Sequence, residues 1–294
     1  MSFEGLFMNI SGKTSVYGII GFPVSHSFSP AMHNAGFCQA GVDAVYVPWQ
    51  VAPADLPDAV KGLRSLGVAG FNVTIPHKSA VMDHLDEVSE GAAVAGAVNT
   101  VINREGRLIG HNTDGAGLLL ALERSLQFTP VGRDLLVLGA GGAARGAVAA
   151  FAAAGASSVS ILNRTLNKAE KICTDMERYF IDVKFVAVSD DDIERLPVSP
   201  DLLVNATSLG MDGADLDSIC LAKLGNAVKV YDMVYSSVQT PLCRAARAEG
   251  MEASDGLGML AAQGELAFEL WTGGAPAPGL FISALYNSIK ISKT

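Results

Sequence analysis

Asp134-Leu-Leu-Val-Leu-Gly-Ala-Gly-Gly-Ala-Ala-Arg145 is the stretch that decides the fold of this chain. Its four consecutive apolar residues, Leu135 to Leu138, are too few for a helix and are typical of a strand buried on both faces. Glycines follow at 139, 141 and 142, and an alanine-rich segment then runs to Gly155. Strand, glycine turn and helix in this order form a phosphate site, because glycine lets the backbone approach a pyrophosphate and helix-start N–H groups point at the anion. The stretch therefore predicts dinucleotide binding, with a purely structural turn as the alternative.

The end of the next predicted strand, Ser158 to Asn163, indicates which dinucleotide is bound. NAD-binding folds usually have Asp or Glu there, which accepts hydrogen bonds from the ribose 2′-hydroxyl. This chain has Asn163, Arg164 and Thr165, with Lys168 one turn later. A guanidinium binds a 2′-phosphate through paired, charge-assisted hydrogen bonds, whereas a carboxylate would repel it. The sequence thus favours NADP over NAD; the alternative is an exposed arginine that only ends a strand.

Composition and charge limit the classes of protein to which the chain can belong. With 294 residues, of which 49% are apolar and 17% charged, it is long enough for one or two globular domains. The formal net charge of −9 argues against a nucleic-acid surface, which needs clustered lysines and arginines. The first residues lack the basic and apolar regions of a signal peptide, and no apolar run is long enough for a membrane span. We therefore expect a cytoplasmic protein with neither nucleic-acid nor membrane partners.

Cysteines and histidines give no indication of a metal site. The four cysteines are widely spaced and form no C-x-x-C motif. The five histidines are scattered, and no pair has the helical i, i+4 spacing beside a carboxylate motif. The sequence therefore predicts no metal ligands and no redox pair.

Strand and helix patterns alternate along the chain, which is typical of α/β folds. Before the glycine stretch we predict strands at 16–20, 44–51 and 70–75, helices at 53–67, after Pro76 and at 118–126, and a hairpin of 98–102 with 107–110. After it we predict strands at 158–163, 183–188, from 201, at 227–234 and at 251–254, and helices at 242–249 and 259–271. We expect the last helix to pack on the first part of the chain, which leaves a cleft between two α/β domains where a substrate would meet a nicotinamide.

The loop after the first predicted strand is Gly21-Phe-Pro-Val-Ser-His-Ser-Phe-Ser-Pro-Ala-Met-His-Asn34. Ser25, Ser27 and Ser29 supply three hydroxyl groups, and Pro30 suits the first turn of a helix. A serine before a helix is usually an N-cap, and this interpretation fits Ser29 best. Three hydroxyls and a histidine within five residues exceed what a cap requires, so a ligand-facing loop is the competing interpretation.

Two further groups of polar residues lie at predicted strand ends, where α/β folds place their ligands. They are Asn72, Thr74 and Lys78 in the first group and Asn99, Asn112 and Asp114 in the second. Taken alone, Lys78 could be a solvated lysine at a helix start and Asp114 an N-cap of the following helix. As groups they are candidate binding or catalytic residues.

Several motifs occur along the whole chain in a fixed order. They are Gly21-x-Pro-x-x-His-Ser-x-Ser-Pro30, Asn72-Val-Thr-Ile-Pro-His-Lys78, Gly96-Ala-Val-Asn-Thr100, Asn112-Thr-Asp-Gly115, Gly139-Ala-Gly-Gly-Ala143, Asn163-Arg-Thr165, Asn205-Ala-Thr-Ser208, Asp232-Met-Val-Tyr235 and Gly256-Leu-Gly-Met-Leu-x-x-Gln263. In this order they resemble the shikimate dehydrogenase family over nearly the whole length of the chain.

The resemblance implies an enzyme that reversibly reduces 3-dehydroshikimate to shikimate with NADPH, in aromatic amino-acid biosynthesis. It also implies a split architecture. Residues 1–113 and 256–294 would form a substrate-binding domain, and residues 114–255 a Rossmann-type NADP-binding domain inserted between them. The implied partner is a small molecule, and the sequence leaves open whether the protein is a monomer or a homodimer.

The resemblance further implies roles for the matching residues. Lys78 and Asp114 would form the catalytic pair: as hydride leaves C3 of shikimate the 3-hydroxyl must lose its proton, and a group within hydrogen-bond reach must accept it. The implied substrate-binding residues are Ser27, Ser29 and Tyr235 for the carboxylate, and Thr74, Asn99 and Gln263, with Asp114, for the ring hydroxyls. The implied cofactor-binding residues are Gly139, Ala140, Gly141, Gly142, Ala143, Asn163, Arg164, Thr165, Lys168, Thr207, Met233 and Gly256.

One position departs from the family pattern. The family often has proline two residues after the tyrosine that matches Tyr235, whereas this chain has Ser236 and Ser237. We therefore expect a less rigid loop after Tyr235.

Three other functions compete with this one. A quinate/shikimate dehydrogenase of broader specificity is the nearest alternative, and Arg164 opposes its use of NAD. A one-carbon folate dehydrogenase of similar two-domain plan would need neither the serine-rich loop nor Asn112-Thr-Asp-Gly115. A non-catalytic NADP-binding sensor would need neither Lys78 nor Asp114, and the chain retains both.

Overall fold

The chain forms two compact units. The computed structural model describes residues 10–189, 199–210, 221, 224, 228–236 and 239–291. The first unit consists of Met1–Ala92, Val98–Asn112 and Gly264–Thr294, and the second of Ala93–Ala97 and Thr113–Gln263. The first unit thus takes its residues from both ends of the chain.

The first unit contains a mixed sheet. The elements up to residue 111 are β1 (Ser15–Gly21), α1 (Ser29–Ala40), β2 (Ala44–Gln50), a 3-10 helix (Pro53–Asp55), α2 (Leu56–Ser65), β3 (Gly70–Val73), a second 3-10 helix (Ala80–His84), β4 (Glu87–Val88), α3 (Glu90–Ala95), β5 (Thr100–Arg104) and β6 (Arg107–His111). The strand order is β2-β1-β3-β5-β6-β4, with β1 parallel to both neighbours and β5 antiparallel to both of its own. The predicted hairpin β5–β6 is confirmed, and it turns through Glu105 and Gly106, whose φ angles of 54° and 89° suit a tight two-residue turn.

The second unit contains a parallel sheet. The remaining elements are α4 (Asp114–Leu126), β7 (Asp134–Leu138), α5 (Gly142–Ala153), β8 (Ser158–Leu162), α6 (Leu166–Glu177), β9 (Lys184–Val188), β10 (Leu202–Asn205), β11 (Lys229–Asp232), α7 (Pro241–Ala248), β12 (Ala253–Ser254), α8 (Leu257–Thr272) and α9 (Leu280–Ile291). The sheet order is β12-β11-β10-β7-β8-β9. Read from β9, this is the 3-2-1-4-5-6 order of the Rossmann fold. The predicted α/β fold with a Rossmann-type domain is therefore confirmed.

The strand β7 is buried on both faces, as its run of apolar residues predicts. Leu135 and Val137 pack in one apolar cluster with Val148 and Phe151 of α5. Leu136 and Leu138 pack in a second cluster with α7 on the opposite face. Because helices cover both faces, no residue in the middle of this strand needs to be polar.

The helices α8 and α9 complete the first unit from the C-terminal end. Residues of α8 up to Gln263 belong to the second unit and those from Gly264 to the first. Phe281 of α9 is fully buried and packs edge-to-face against Phe268 of α8, with ring centroids 5.8 Å apart. The predicted packing of the last long helix on the first part of the chain thus holds for its second half, where the Trp271 indole N–H donates to the backbone oxygen of Val101 at 3.0 Å.

Two local predictions are wrong. The helix after Pro76 is only a 3-10 helix at Ala80–His84, because the chain turns instead through residues 76–79. The N-cap of α1 is Phe28 rather than Ser29, which is the first helical residue, and Pro30 lies in the first turn as expected. The side chain of Ser29 is instead hydrogen-bonded to Tyr46, and its backbone N–H donates to the hydroxyl of Ser27 at 3.3 Å.

In the described segments no helix combines the length and apolar character needed to cross a membrane. Residue 227 of the strand predicted at 227–234, and Ser237 after Tyr235, lie outside the described residues.

Candidate functional site

The glycine loop between β7 and α5 has the backbone that a phosphate site needs. Gly139 has a φ angle of 101°, a conformation that side chains disfavour, and a Cβ there would lie 2.8 Å from Thr207 Cγ2. Gly141 is the N-cap of α5, and Gly141 and Gly142 have open space where a side chain would be. The first N–H groups of a helix have no helical partner, so this exposed turn can accept an anion. Ala144, fully buried behind the loop, allows the close helix–strand packing expected of the third motif position.

The loops after β10 and β11 are held by a buried pair of polar side chains. Asn205 Nδ2 donates to Asp232 Oδ1 at 2.8 Å, and both residues are fully buried. Asn205 Oδ1 also accepts from the backbone N–H and the hydroxyl of Thr207, at 3.0 and 2.7 Å. Asp232 Oδ1 accepts from the backbone N–H of Val234 at 3.1 Å. Burial raises the pKa of Asp232, although hydrogen bonds from Thr240 and Asn205 oppose this rise.

Through this pair the predicted cofactor residues of three loops come together. The sheet order reverses between β7 and β10, and Gly139 contacts the loop that contains Thr207 at this point. The backbone N–H of Gly256 donates to the backbone oxygen of Val234 at 3.1 Å, and a Cβ at Gly256 would lie 2.3 Å from the backbone oxygen of Met233. Ligands of open α/β sheets bind at such a reversal of strand order. Thr207, Met233 and Gly256 thus lie on the loops that surround the expected cofactor position.

The segment after β8 presents positive charge. Arg164 and Lys168 are exposed, and Asn163 Nδ2 donates to the backbone oxygen of Thr165 at 2.8 Å, which shapes the turn into α6. The side chains present therefore fit a dinucleotide with an additional phosphate, because an exposed guanidinium and an ammonium follow the strand that usually binds the ribose.

In the first unit, the ends of β1 and β3 bring the serine-rich loop and Thr74 together. The two strands are adjacent and parallel, with Ile20 opposite Val73. A Cβ at Gly21 would lie 2.4 Å from Thr74 Cγ2, so the loop after β1 passes directly over Thr74. Ser27 is half-buried, and its hydroxyl accepts the Ser29 N–H at 3.3 Å.

Lys78 and Asn99 lie at the same end of this sheet. The backbone oxygen of Lys78 accepts from the N–H of Val98 at 2.8 Å, and the Val73 N–H donates to the oxygen of Asn99 at 2.9 Å. His77, which is almost fully buried, is hydrogen-bonded through Nε2 to the oxygen of Val51 at 2.7 Å and anchors the turn before Lys78. Five predicted substrate-site residues of the first unit are therefore grouped at the carboxyl ends of β1 and β3: Ser27, Ser29, Thr74, Lys78 and Asn99.

The other predicted substrate-site residues belong to the second unit. Asp114 is the first residue of α4, whose N-cap is Thr113, so the interpretation of Asp114 as an N-cap is wrong. Gln263 Nε2 donates to the oxygen of Leu260 at 2.8 Å, and Gly117 of α4 packs against the backbone of Gln263. Tyr235 is 38% exposed. The roles of Asp114, Tyr235 and Gln263 stay predictions.

In the described residues, no group of three or more His, Cys, Asp or Glu side chains is arranged to hold a metal ion. Buried Cys173 and Cys243 have pKa values raised to about 11, mainly by burial, which makes both thiols poor nucleophiles.

Three protein-family models together match most of the chain. Residues 19–101 match the shikimate dehydrogenase substrate binding domain, residues 123–211 the shikimate / quinate 5-dehydrogenase model, and residues 256–279 the shikimate 5′-dehydrogenase C-terminal domain. A protein of Geobacter sulfurreducens named shikimate dehydrogenase (NADP(+)) is 49% identical over 285 residues, which cover 96% of this chain and 99% of the relative. The chain belongs to the shikimate dehydrogenase family.

Solved structures of a shikimate dehydrogenase and of a quinate dehydrogenase superpose on nearly the whole chain. Shikimate 5-dehydrogenase from Thermus thermophilus, in complex with NADP(H) and shikimate, has a TM-score of 0.83 at 36% identity and covers 94% of this chain and 100% of its own. Quinate dehydrogenase from Corynebacterium glutamicum, in complex with NAD, has a TM-score of 0.86 at 31% identity and covers 93% and 99%. Shikimate and quinate dehydrogenases thus share this fold, and side chains must distinguish them.

The sequence alone does not reveal the side chains that hold the predicted site residues in place. In the sequence, Asn205 and Asp232 are recognisable only as members of two separate motifs. Their pairing follows from the adjacency of β10 and β11. Tyr46 and Thr100 have no predicted role, although both are buried beside Asn72 and Asn99. A polar residue within an apolar strand is the one local signal that points to such pairs.

Proposed function

We propose that this protein catalyses the reversible NADPH-dependent reduction of 3-dehydroshikimate to shikimate, a step of aromatic amino-acid biosynthesis. The observation that supports this most strongly is the 49% identity, over nearly the full length of both chains, with a relative named shikimate dehydrogenase (NADP(+)). Similar chain length and fold alone would not select the substrate, because a quinate dehydrogenase has a similar structure.

The residues after β7 and β8 would bind NADP. The glycine turn of residues 139–143 would take the pyrophosphate at the start of α5, and Arg164 with Lys168 would bind the 2′-phosphate through charge-assisted hydrogen bonds. Asn163, Thr165, Thr207, Met233 and Gly256 would line the remainder of the cofactor. When bound, NADPH supplies the hydride that reduces C3 of the substrate.

Lys78 and Asp114 would manage the proton of the reaction. In the direction of reduction, the oxygen at C3 gains a proton as its carbon gains hydride, and a protonated Lys78 donates it. In the reverse direction Lys78 accepts the proton of the 3-hydroxyl. Asp114 would orient the lysine and the substrate, because a carboxylate accepts hydrogen bonds from both an ammonium group and a ring hydroxyl.

The remaining site residues would select the substrate. Ser27, Ser29 and Tyr235 would donate hydrogen bonds to the carboxylate, and several neutral hydroxyls suffice when they converge on one anion. Thr74, Asn99 and Gln263, with Asp114, would bind the ring hydroxyls. A site that hydrogen-bonds each hydroxyl discriminates strongly against analogues that lack one.

The decisive experiment is an absorbance assay of nicotinamide reduction with shikimate and quinate, each with NADP+ and NAD+. The proposal predicts that shikimate with NADP+ gives by far the highest kcat/KM. Absence of a shikimate-dependent increase in NADPH absorbance would refute it. Lys78→Ala should lose most of its kcat while it keeps its affinity for shikimate. If the variant keeps most of its kcat, the proposed catalytic role of Lys78 is wrong.

The second candidate function is a quinate/shikimate dehydrogenase of broader specificity. The structural similarity to a quinate dehydrogenase in complex with NAD favours it, whereas exposed Arg164 opposes the use of NAD. In the same assay, comparable rates with quinate would select this alternative.

The compartment and the assembly state complete the proposal. We place the enzyme in the cytoplasm, which is consistent with the free thiols of Cys38, Cys173 and Cys243, because cytoplasmic cysteines stay reduced. Cell fractionation tests this location. Sedimentation at the assay concentration distinguishes a monomer from a homodimer.

A further inference from the structure

Four buried polar side chains form a continuous series of hydrogen bonds in the first unit. They are Tyr46, Asn72, Asn99 and Thr100, with exposed fractions of 2%, 5%, 2% and 0%. Tyr46 Oη lies 2.7 Å from Asn72 Oδ1, Asn72 Nδ2 lies 3.1 Å from Thr100 Oγ1, and Thr100 Oγ1 lies 2.9 Å from Asn99 Oδ1. We call this series the Tyr46–Asn99 chain.

One contact fixes the direction of the chain at Asn72. Asn72 Nδ2 lies 3.0 Å from the backbone oxygen of Asn99, and a carbonyl oxygen can only accept. The amide nitrogen of Asn72 must therefore face β5, which leaves its oxygen towards Tyr46. The Tyr46 hydroxyl is thus the donor, and burial raises the pKa of this phenol well above its usual value, so it stays protonated.

The same logic fixes Thr100 and then Asn99. Asn72 Nδ2 donates to Thr100 Oγ1, and a hydroxyl has a single proton, which Thr100 donates to Asn99 Oδ1. The two ends of an Asn side chain are otherwise similar in shape, so a fixed neighbour decides which end faces which way. The side-chain oxygen of Asn99 faces Thr100, and its side-chain amide nitrogen therefore points away from Thr100.

The position of Tyr46 is itself fixed by α1. Asn34 pairs with the backbone of Tyr46 through two hydrogen bonds of 3.0 and 2.8 Å. The ring of His33 stacks on the ring of Tyr46 with centroids 4.5 Å apart and planes inclined by 10°. The first donor of the chain is therefore held from both its backbone and its ring.

We propose that the Tyr46–Asn99 chain makes Asn99 a hydrogen-bond donor to the substrate and that Thr100 is the positioning residue that sets this orientation. The inference rests on the proposed function, in which Asn99 binds an oxygen of the substrate ring. A donor suits both partners of the reaction, since hydroxyl and carbonyl oxygens can both accept. An acceptor at this position would repel a carbonyl oxygen and would bind only hydroxyl groups.

The test compares two variants of similar shape. Thr100→Val replaces the hydroxyl with a methyl group, and Thr100→Ser keeps the hydroxyl. By titration calorimetry we expect Thr100→Val to weaken shikimate binding about 10-fold, as loss of one well-formed hydrogen bond would. Thr100→Ser should stay within about 3-fold of wild type, and both variants should bind NADP+ as wild type does. Equal shikimate affinity of Thr100→Val and wild type, or equal loss in both variants, overturns the proposal.

A double variant tests whether Thr100 acts through Asn99. If it does, Asn99→Ala/Thr100→Val binds shikimate as weakly as Asn99→Ala alone, because the residue that Thr100 orients is already absent. A further loss of about 10-fold in the double variant would mean that Thr100 acts by another route and would overturn the proposal.

A third variant keeps the test open if Thr100→Val does not fold. Asn99→Asp keeps an oxygen for Thr100 but has no N–H group to donate to a carbonyl oxygen, so its KM for 3-dehydroshikimate should rise as much as that of Asn99→Ala; retention of the wild-type KM contradicts a donor role. Wild-type protein that binds no shikimate would overturn the proposed function and this inference with it. Wild-type binding combined with unaffected variants would overturn the inference alone.

Discussion

The guanidinium of Arg164 is exposed at the turn between β8 and α6, where its charge can act on a bound dinucleotide. We expect Arg164→Ala to raise KM for NADP+ about 10- to 100-fold, because a charged hydrogen-bond pair contributes roughly 1.5–3 kcal/mol. KM for NAD+ should change little, since NAD+ has no 2′-phosphate. Steady-state kinetics with both cofactors measures this difference.

The matched control for Arg164 is Arg178, an exposed arginine at the other end of α6. Arg178→Ala removes the same charge and should leave both KM values unchanged. If Arg164→Ala retains the wild-type KM for NADP+, cofactor selection lies elsewhere in the second unit.

His33 is a buried histidine among aromatic rings. It is fully buried, and in the described structure neither ring nitrogen has a hydrogen-bond partner. Its surroundings are the rings of Phe37, Tyr46, Phe268, Trp271 and Phe281. Burial lowers the pKa of His33 to about 3. His33 is therefore neutral in the folded protein at neutral pH.

This depressed pKa predicts a loss of stability in acid. Between about pH 6.5 and about pH 3 the unfolded chain binds a proton at His33 and the folded chain does not, so the free energy of unfolding falls as pH falls through this range. At about pH 4.5 the effect is about 2–3 kcal/mol. His33→Leu should therefore lose less stability than wild type between about pH 7 and about pH 4.5, as measured by urea unfolding.

For each protein the free energy of unfolding at one pH is subtracted from that at the other. Any cost of packing leucine at position 33 is the same at both pH values and cancels. His26→Gln, a change at an exposed histidine, should show the wild-type pH dependence. Parallel pH profiles for His33→Leu and wild type would contradict a neutral His33 in the folded state.

At the scale of elements, Gly117 sets the distance between α4 and α8. A Cβ at this position would lie 2.8 Å from both the backbone nitrogen and the Cβ of Gln263. We expect Gly117→Ala to lower the free energy of unfolding by about 1–3 kcal/mol, as overpacking does. Because the clash displaces Gln263, it should also raise KM for shikimate.

Gly146 of α5 provides the control for Gly117. Gly146 is also helical and in the second unit, but apart from its chain neighbours and the backbone of its own helix no heavy atom lies within 4 Å of the position of its Cβ. Gly146→Ala should stabilise the protein by roughly 0.5–1 kcal/mol, because alanine loses less backbone entropy than glycine in a helix. Destabilisation by both substitutions would show that the Gln263 contact is not the cause.

The elements that the sequence predicts well are those defined by local patterns. The run Leu135 to Leu138 followed by Gly139 identifies β7, the turn and α5 without reference to other parts of the chain. The error at Ser29 has a tertiary cause. Its side chain is hydrogen-bonded to Tyr46, a residue 17 positions away, and a cap assigned from the local sequence cannot take such a partner into account.

For the candidate site, the sequence identifies the residues that bear the polar groups but not the side chains that hold them in place. Polar residues at strand ends point to Thr74 and Lys78 because parallel strands end at one edge of a sheet. Asn99 lies at the same edge because it precedes β5, which is antiparallel to β3. The hydrogen bond from Tyr46 to Asn72 joins residues 26 positions apart on non-adjacent strands. No periodicity reports such a contact, so only the structure could reveal it.

At the scale of the whole molecule, both tryptophans belong to the first unit. Trp49 is on β2 and Trp271 is in the second half of α8. Tryptophan emission therefore reports on the first unit. We expect Phe281→Ala to lower its unfolding free energy by about 3–5 kcal/mol, because the substitution leaves a cavity between α9, α1 and Phe268.

Tyr286 is the control on the same helix, since it is 52% exposed. Tyr286→Ala should change the emission-detected urea midpoint much less than Phe281→Ala does. Equal midpoints for the two variants would mean that α9 adds little to the first unit.

The assignment of Gly264–Thr294 to the first unit has a consequence for the order of events on the ribosome. Every residue of the second unit has been synthesised once Gln263 is added. At that moment α1 exists with Phe37 but without Phe268 and Phe281, the rings that contact it and its neighbour Gly36 in the finished protein. The first unit is thus completed after the second, and the part of α1 that contacts Phe268 and Phe281 in the finished protein lacks these partners until both have been synthesised.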